Sequence, residues 1–213
     1  MSEDPLVILA FFGIGIYLAG LWTADYRAQC SNKQTGVLPL PGAFPASASA
    51  IHLAIIGALV LVSVETLGEY SLGIAQEQTT IPGIFLLAMI AASIAEEVLF
   101  RGFLVVKNHG KLALVLSIFG FSLLFAVLHP YIWTYHNETA SWRLWEGQWQ
   151  WNLTTKGIFS TLILFLNSLW FYAVRFMPLN PKHSLLPCFA AHLSSNLAVF
   201  VVKLLTGHVS GIF

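Results

Sequence analysis

Six side chains able to carry charge or direct a hydrogen bond interrupt otherwise apolar stretches: Glu96, Glu97, Arg101, His129, His192 and Asn196. They fall in three short patterns, Glu96-Glu97-Val-Leu-Phe-Arg101, Phe125-Ala-Val-Leu-His129 and His192-Leu-Ser-Ser-Asn196. Such groups are costly in hydrocarbon unless they face one another or a water-filled cavity, so together they mark a functional site. Carboxylates, imidazoles and a carboxamide in one place can serve acid–base catalysis, metal or haem ligation, or a proton or solute path.

The elements that must position them are membrane-spanning helices. Hydrophobic residues make up 57% of the 213-residue chain and charged residues 9%. Its apolar runs approach the roughly 20 residues that a spanning helix requires. Six spans are expected, at 6–22, 47–64, 82–106, 112–130, 157–177 and 184–206, which makes the fold class an all-α polytopic membrane protein. The absence of an internal repeat or a separating linker predicts a single domain over 1–213. Asp4 suits an N-cap and Pro5 the first helical position, and no positive n-region precedes the first span, so that span reads as a retained helix. The connection 36–46, with three prolines, should be irregular.

Helix geometry predicts how the six residues divide. Glu97 and Arg101 are four apart and pair on one face, whereas Glu96 points about 100° away and stays available for chemistry. His192 and Asn196 share a face of the last helix for the same reason. Pro130 disfavours helical geometry at His129, which should end or kink its helix and leave nearby carbonyls open, with Phe125 one turn back as a wall. Counted from the cytoplasmic helix ends at 1.5 Å per residue, Glu96 lies about 15 Å deep, His192 about 12 Å, Asn196 about 18 Å and His129 about 25 Å. Ordinary tilt lets all four converge near mid-membrane. The blander reading keeps Glu97–Arg101 as an ion pair and the histidines as ties between helices. His52, His109, His136, His183 and His208 fall near span ends or in connections and receive no catalytic role.

Lysine and arginine placement favours an N-terminus outside, with Arg27, Lys33, Lys107, Lys111, Arg175 and Lys182 on the cytoplasmic side. Arg143, Lys156 and Lys203 run against that bias. The connection 131–156 holds Trp133, Trp142, Trp145, Trp149 and Trp151, which suits a segment lying in the membrane interface. Asn137 and Asn152 each begin a glycosylation-type triplet. Ten basic residues balance ten acidic ones, so charge gives no reason to expect a nucleic-acid partner. Cys30 and Cys188 have neither metal-ligand spacing nor the density of a disulfide framework.

The three patterns, in this order and each within a span, resemble the EExxxR, FxxxH and HxxxN/D signature of the CAAX prenyl protease 2 and bacteriocin-processing family, CPBP or Abi, of intramembrane glutamic endopeptidases. The resemblance covers mainly 82–206, the family's four-helix catalytic core. It implies that Glu96 activates water for attack on a peptide carbonyl, that His129 positions or polarises that water, and that His192 and Asn196 stabilise the oxyanion. It also implies a membrane-associated or lipidated peptide substrate, a lipid bilayer as surroundings and no cofactor, and the expected location is a bacterial cytoplasmic membrane.

Zinc held by two histidines and a glutamate is the alternative to a metal-free site, although no HExxH helix is present and asparagine suits an oxyanion donor better than a zinc ligand. Other classes remain: a transporter, a haem protein ligated by His129 and His192, or a peptide-binding immunity protein using the same cluster.

Overall fold

The computed structural model describes residues 4–31, 38–136 and 147–212. Lys33, Asn137, Trp142, Arg143 and Trp145, singled out above, lie outside the described residues.

Six long helical segments form a bundle: α1 (Pro5–Cys30), α2 (Ala48–Ser71), α3 (Phe85–Glu96) with its continuation, a π-helical segment (Glu97–Phe103), then α4 (Gly110–Leu128), α5 (Thr155–Phe176) and α6 (Leu186–Leu205). Local signals start several of them. Asp4 accepts the amide hydrogen of Leu6 with Pro5 in the first turn, Ser47 accepts from Ala50, and Thr154 accepts from Gly157. Helices α1 and α2 run past the apolar stretches expected at 6–22 and 47–64, because a helix continues through residues such as Asp25, Arg27 and Glu69 once its hydrogen-bond ladder is established.

Five helices, α1, α2, α4, α5 and α6, are long and apolar enough to cross a bilayer. The span expected at 82–106 differs in kind. Its α-helical part has 12 residues, and the following 7 are π-helical, closed by a hydrogen bond from Leu104 N to Leu99 O at 2.9 Å. The charged residues Glu97 and Arg101 lie in this widened turn, where π-helical geometry often accompanies a functional site.

Packing makes α3, α5 and α6 the centre of the bundle. Helix α6 lies against α2, α3 and α5, α4 lies on α5, and α1 lies on α3. Helices α1 and α3 approach so closely that a Cβ at Gly15 would stand 2.7 Å from that of Ala91. Beneath Trp170, Gly57 leaves the space the indole occupies, and the indole donates to the Ala54 carbonyl at 3.1 Å. Many large apolar side chains, Ile14, Ile56, Leu116, Phe119, Leu162 and Val201 among them, are exposed on the outer faces of the helices, as in a bundle surrounded by lipid.

Two short two-stranded sheets accompany the helices. Strand β1 (Ile81–Pro82) pairs in parallel with β4 (Val209–Ser210), which ties the start of α3 to the end of α6 and fixes the two helices as antiparallel neighbours. Strands β2 (Trp133–His136) and β3 (Gln148–Trp151), at the described ends of the tryptophan-rich connection, pair antiparallel, with Trp133 against Trp149 and the Trp133 indole donating to the Val127 carbonyl at 2.6 Å.

Candidate active site

The antiparallel register of α3 and α6 assembles the cluster. Each step of four along α6 meets a step of four in the opposite sense on the neighbouring segment: Asn196 lies at Ser93, and His192 lies at Glu97. His192 Nδ1 is 2.8 Å from Glu97 Oε1, and its Nε2 is 3.9 Å from Glu96 Oε2. The two adjacent glutamates therefore address opposite edges of one imidazole.

The division between them follows the expected one. Glu97 and Arg101 are fully buried and paired at 3.0 Å, whereas the Glu96 side chain keeps 23% of its exposure. Burying an ion pair is costly unless further hydrogen bonds compensate. Arg101 obtains them from Ser168, whose hydroxyl lies at 2.7 Å and whose carbonyl lies at 3.3 Å. The guanidinium also sits within 4.6 to 5.0 Å of the ring centres of Phe125, Phe171 and Tyr172, within cation–π range. The Tyr172 hydroxyl lies 2.7 Å from the Phe100 carbonyl and 2.9 Å from that of Leu104, so it serves backbone acceptors of the π-helical segment.

Both imidazoles have one edge assigned. His129 follows the last residue of α4 in extended conformation, as the Pro130 effect predicts, and its Nδ1 lies 2.8 Å from the Phe125 carbonyl. A carbonyl only accepts, so Nδ1 carries the hydrogen, and in the neutral ring Nε2 offers a lone pair. For His192, the Arg101-paired Glu97 carboxylate likewise takes the Nδ1 hydrogen and turns Nε2 toward Glu96. Phe171 stacks on the His192 ring at 4.9 Å and 20°, holding its plane.

Arg101, Glu97, His192 and Glu96 are thus linked in a chain, each to the next. His129 joins them through Phe125, whose ring centre lies 4.8 Å from that of His129 and 6.2 Å from that of His192. Asn196 sits one turn beyond His192, and its amide nitrogen is bound to the Met89 carbonyl at 2.8 Å and to Ser93 Oγ at 3.1 Å. The Met89 carbonyl can only accept, which fixes the orientation of the carboxamide and engages both of its hydrogens in α3.

Sequence reasoning missed the contribution of α5. The only hint there was a polar pair, Asn167-Ser168, inside an apolar run, and both residues are buried. It also missed the Glu97–His192 contact, which joins residues 95 positions apart. Among the described residues, no group of three His, Cys, Asp or Glu side chains converges as a metal site would require.

A membrane-spanning bundle that brings a partly accessible carboxylate against an oriented imidazole has the acid–base pair that an intramembrane hydrolase requires. The family model of Rce1-like type II CAAX prenyl endopeptidases matches residues 78–198, which include all six residues of the cluster, and the chain belongs to that family. It is accordingly an integral membrane protease of the CAAX type, working on membrane-associated peptide in a lipid environment. Comparison with curated proteins found no match, and comparison with solved structures found none either.

Proposed function

We propose that the protein is a glutamic intramembrane endopeptidase in which Glu96 activates the hydrolytic water. The observation that carries this reading is the placement of His192 between the glutamates. Glu97 holds its Nδ1 at 2.8 Å, and its Nε2 faces the more accessible Glu96 at 3.9 Å.

In this mechanism the water donates one hydrogen to Glu96 and is steadied by the Nε2 lone pair of His129. Its oxygen attacks the scissile carbonyl as Glu96 takes the proton, and the carbonyl π electrons move onto oxygen. His192 donates to that oxyanion from Nε2, within a site walled by Phe125 and Phe171 where such donors act strongly. Asn196 joins it by exchanging the longer of its two amide hydrogen bonds, that to Ser93, for the substrate oxygen. When the C–N bond breaks, Glu96 returns its proton to the leaving nitrogen. Glu97 and Arg101 touch no reacting atom in this scheme and position His192.

The substrate is a membrane-associated or lipidated peptide: a prenylated C-terminus, a secreted peptide under maturation, or a membrane-anchored sorting helix. The Trp-rich connection favours the latter two. Comparing membrane-peptide termini from cells that carry the wild-type or Glu96→Ala protein tests the reading. Precursors should accumulate and one set of new termini should vanish in the variant, whereas identical peptide sets would refute it.

Two further outcomes follow from the mechanism. Asn196→Ala should lower turnover by roughly 10²–10³ while changing substrate affinity little, because a donor aimed at the oxyanion acts in the transition state. Asn196→Asp should impair turnover where its carboxyl is ionised beside the oxyanion, whereas a protonated carboxyl there still donates, in keeping with the aspartate that the HxxxN/D signature admits. Steady-state kinetics on purified enzyme decides this, and unchanged turnover with weakened binding would make Asn196 a docking residue. The reaction is also expected to run without metal: dialysed protein should hold less than stoichiometric zinc and keep its activity in chelator. Activity that disappears with zinc removal and returns with zinc would reverse that assignment.

A further inference from the structure

A second polar feature lies beyond the catalytic cluster, where α2 and α6 end and α5 begins. It is a cavity of about 330 Å³ bordered by Glu65, Glu69 and Glu77 and by Lys156 and Lys203. Its size suits a small ligand or a side chain.

The groups there are not equally engaged. Glu69 is buried, ion-paired with Lys156 and hydrogen-bonded to Gln78 Nε2 at 2.5 Å. Lys203 donates to the Thr79 carbonyl at 2.6 Å. Glu65, half-buried one turn before Glu69, has no hydrogen-bond or ion-pair partner among the described residues. Gln78 Oε1 is a buried acceptor that no group among the described residues satisfies. Apart from Glu77, which is exposed and also without a side-chain partner among the described residues, the unengaged groups are thus a carboxylate and an amide oxygen, and the cavity's three carboxylates outnumber its two ammonium groups. A buried acceptor without a donor is costly, and a cation with several N–H groups would satisfy both.

The cavity is in line with the site. His192, Asn196, Val199 and Lys203 follow one another at helical spacing along α6, and the last two line the cavity. Pro130 and Tyr131, which also line it, directly follow His129. Seven to eleven residues of helix place it roughly 10–16 Å from His192. An extended peptide covers that distance in about three to five residues.

We propose that this cavity is a substrate subsite for a primary ammonium or guanidinium group, the side chain of a lysine or arginine three to five residues from the scissile bond. The proposal rests on the endopeptidase reading and names part of its substrate.

The test uses the full chain in phosphatidylcholine nanodiscs and palmitoyl-anchored alanine–glycine peptides that carry a single lysine, or a single glutamate, at successive positions. Binding is measured to the Glu96→Gln protein, and cleavage is measured with otherwise wild-type protein. Binding should peak at one lysine position, be absent with glutamate, and weaken roughly ten- to hundredfold when Glu65→Gln is added. Gln78→Leu provides a second variant if Glu65→Gln lowers the melting temperature. Cleavage that ignores lysine position and both variants would overturn the subsite and leave the protease reading standing. Lysine- and Glu65-dependent binding without cleavage of any peptide would keep a cation site but overturn the endopeptidase reading and, with it, the substrate assignment. Absence of lysine-dependent binding overturns the subsite whatever the cleavage result. Loss of lysine dependence in phosphatidylethanolamine discs would assign the cavity to the lipid headgroup amine instead of a peptide.

Discussion

Glu96→Gln protein is expected to fold like the wild type and to lose turnover by roughly 10²–10⁴-fold, the usual contribution of a positioned general base. The substitution keeps the size of the side chain, removes its capacity to take a proton from water, and disturbs little else. Among the described residues, Glu96 has no close ion-pair partner other than His192 at 3.9 Å, and its side chain is partly accessible. Affinity for substrate should therefore be nearly unchanged, which makes the variant useful for trapping bound peptide. Cleavage assays and melting curves on purified, lipid-reconstituted protein give both halves of the result. A folded Glu96→Gln enzyme with full turnover would remove Glu96 from the chemistry.

Glu97→Gln should instead be primarily a stability variant. It leaves the Arg101 guanidinium in a fully buried position without its carboxylate, and breaking such a pair from one side costs about 3–5 kcal/mol. Ser168 and the aromatic rings around Arg101 offset part of that loss. The same change replaces the charged acceptor that sets His192 Nδ1 with a neutral amide, whose oxygen accepts more weakly and whose NH2 cannot accept, so the turnover that remains should be lowered as well. Denaturation and turnover measured on one preparation separate the two glutamates: Glu96→Gln affects rate without stability, and Glu97→Gln affects both. A Glu97→Gln protein as stable as wild type would mean that Arg101 is adequately held by α5 alone.

That contrast shows what short-range spacing can and cannot reveal. The Glu97–Arg101 pair, the outward turn of Glu96 and the end of α4 at His129 depend on residues within one helical turn or on the proline next door, and these features were legible in the sequence. So were the membrane class, from apolar run lengths, and the cap at Asp4.

The link from Glu97 to His192 was not legible, because it depends on the antiparallel register of two helices nearly a hundred residues apart, set in part by the pairing of β1 with β4. The π-helical turn at Glu97–Phe103 was equally hidden. A widened turn leaves backbone acceptors open, and here it is Tyr172 of α5 that reaches the carbonyls of Phe100 and Leu104. Likewise, the HxxxN spacing puts Asn196 on the face of His192 but says nothing of where its amide hydrogens go. Tertiary packing decided that, by placing the Met89 carbonyl and the Ser93 hydroxyl within their reach. The sequence by itself determined which polar groups interrupt the apolar stretches, since composition and run length place those stretches in the membrane. Only the tertiary structure decided which of them touch, because a hydrogen bond is settled within a few tenths of an ångström and helix register sets that distance.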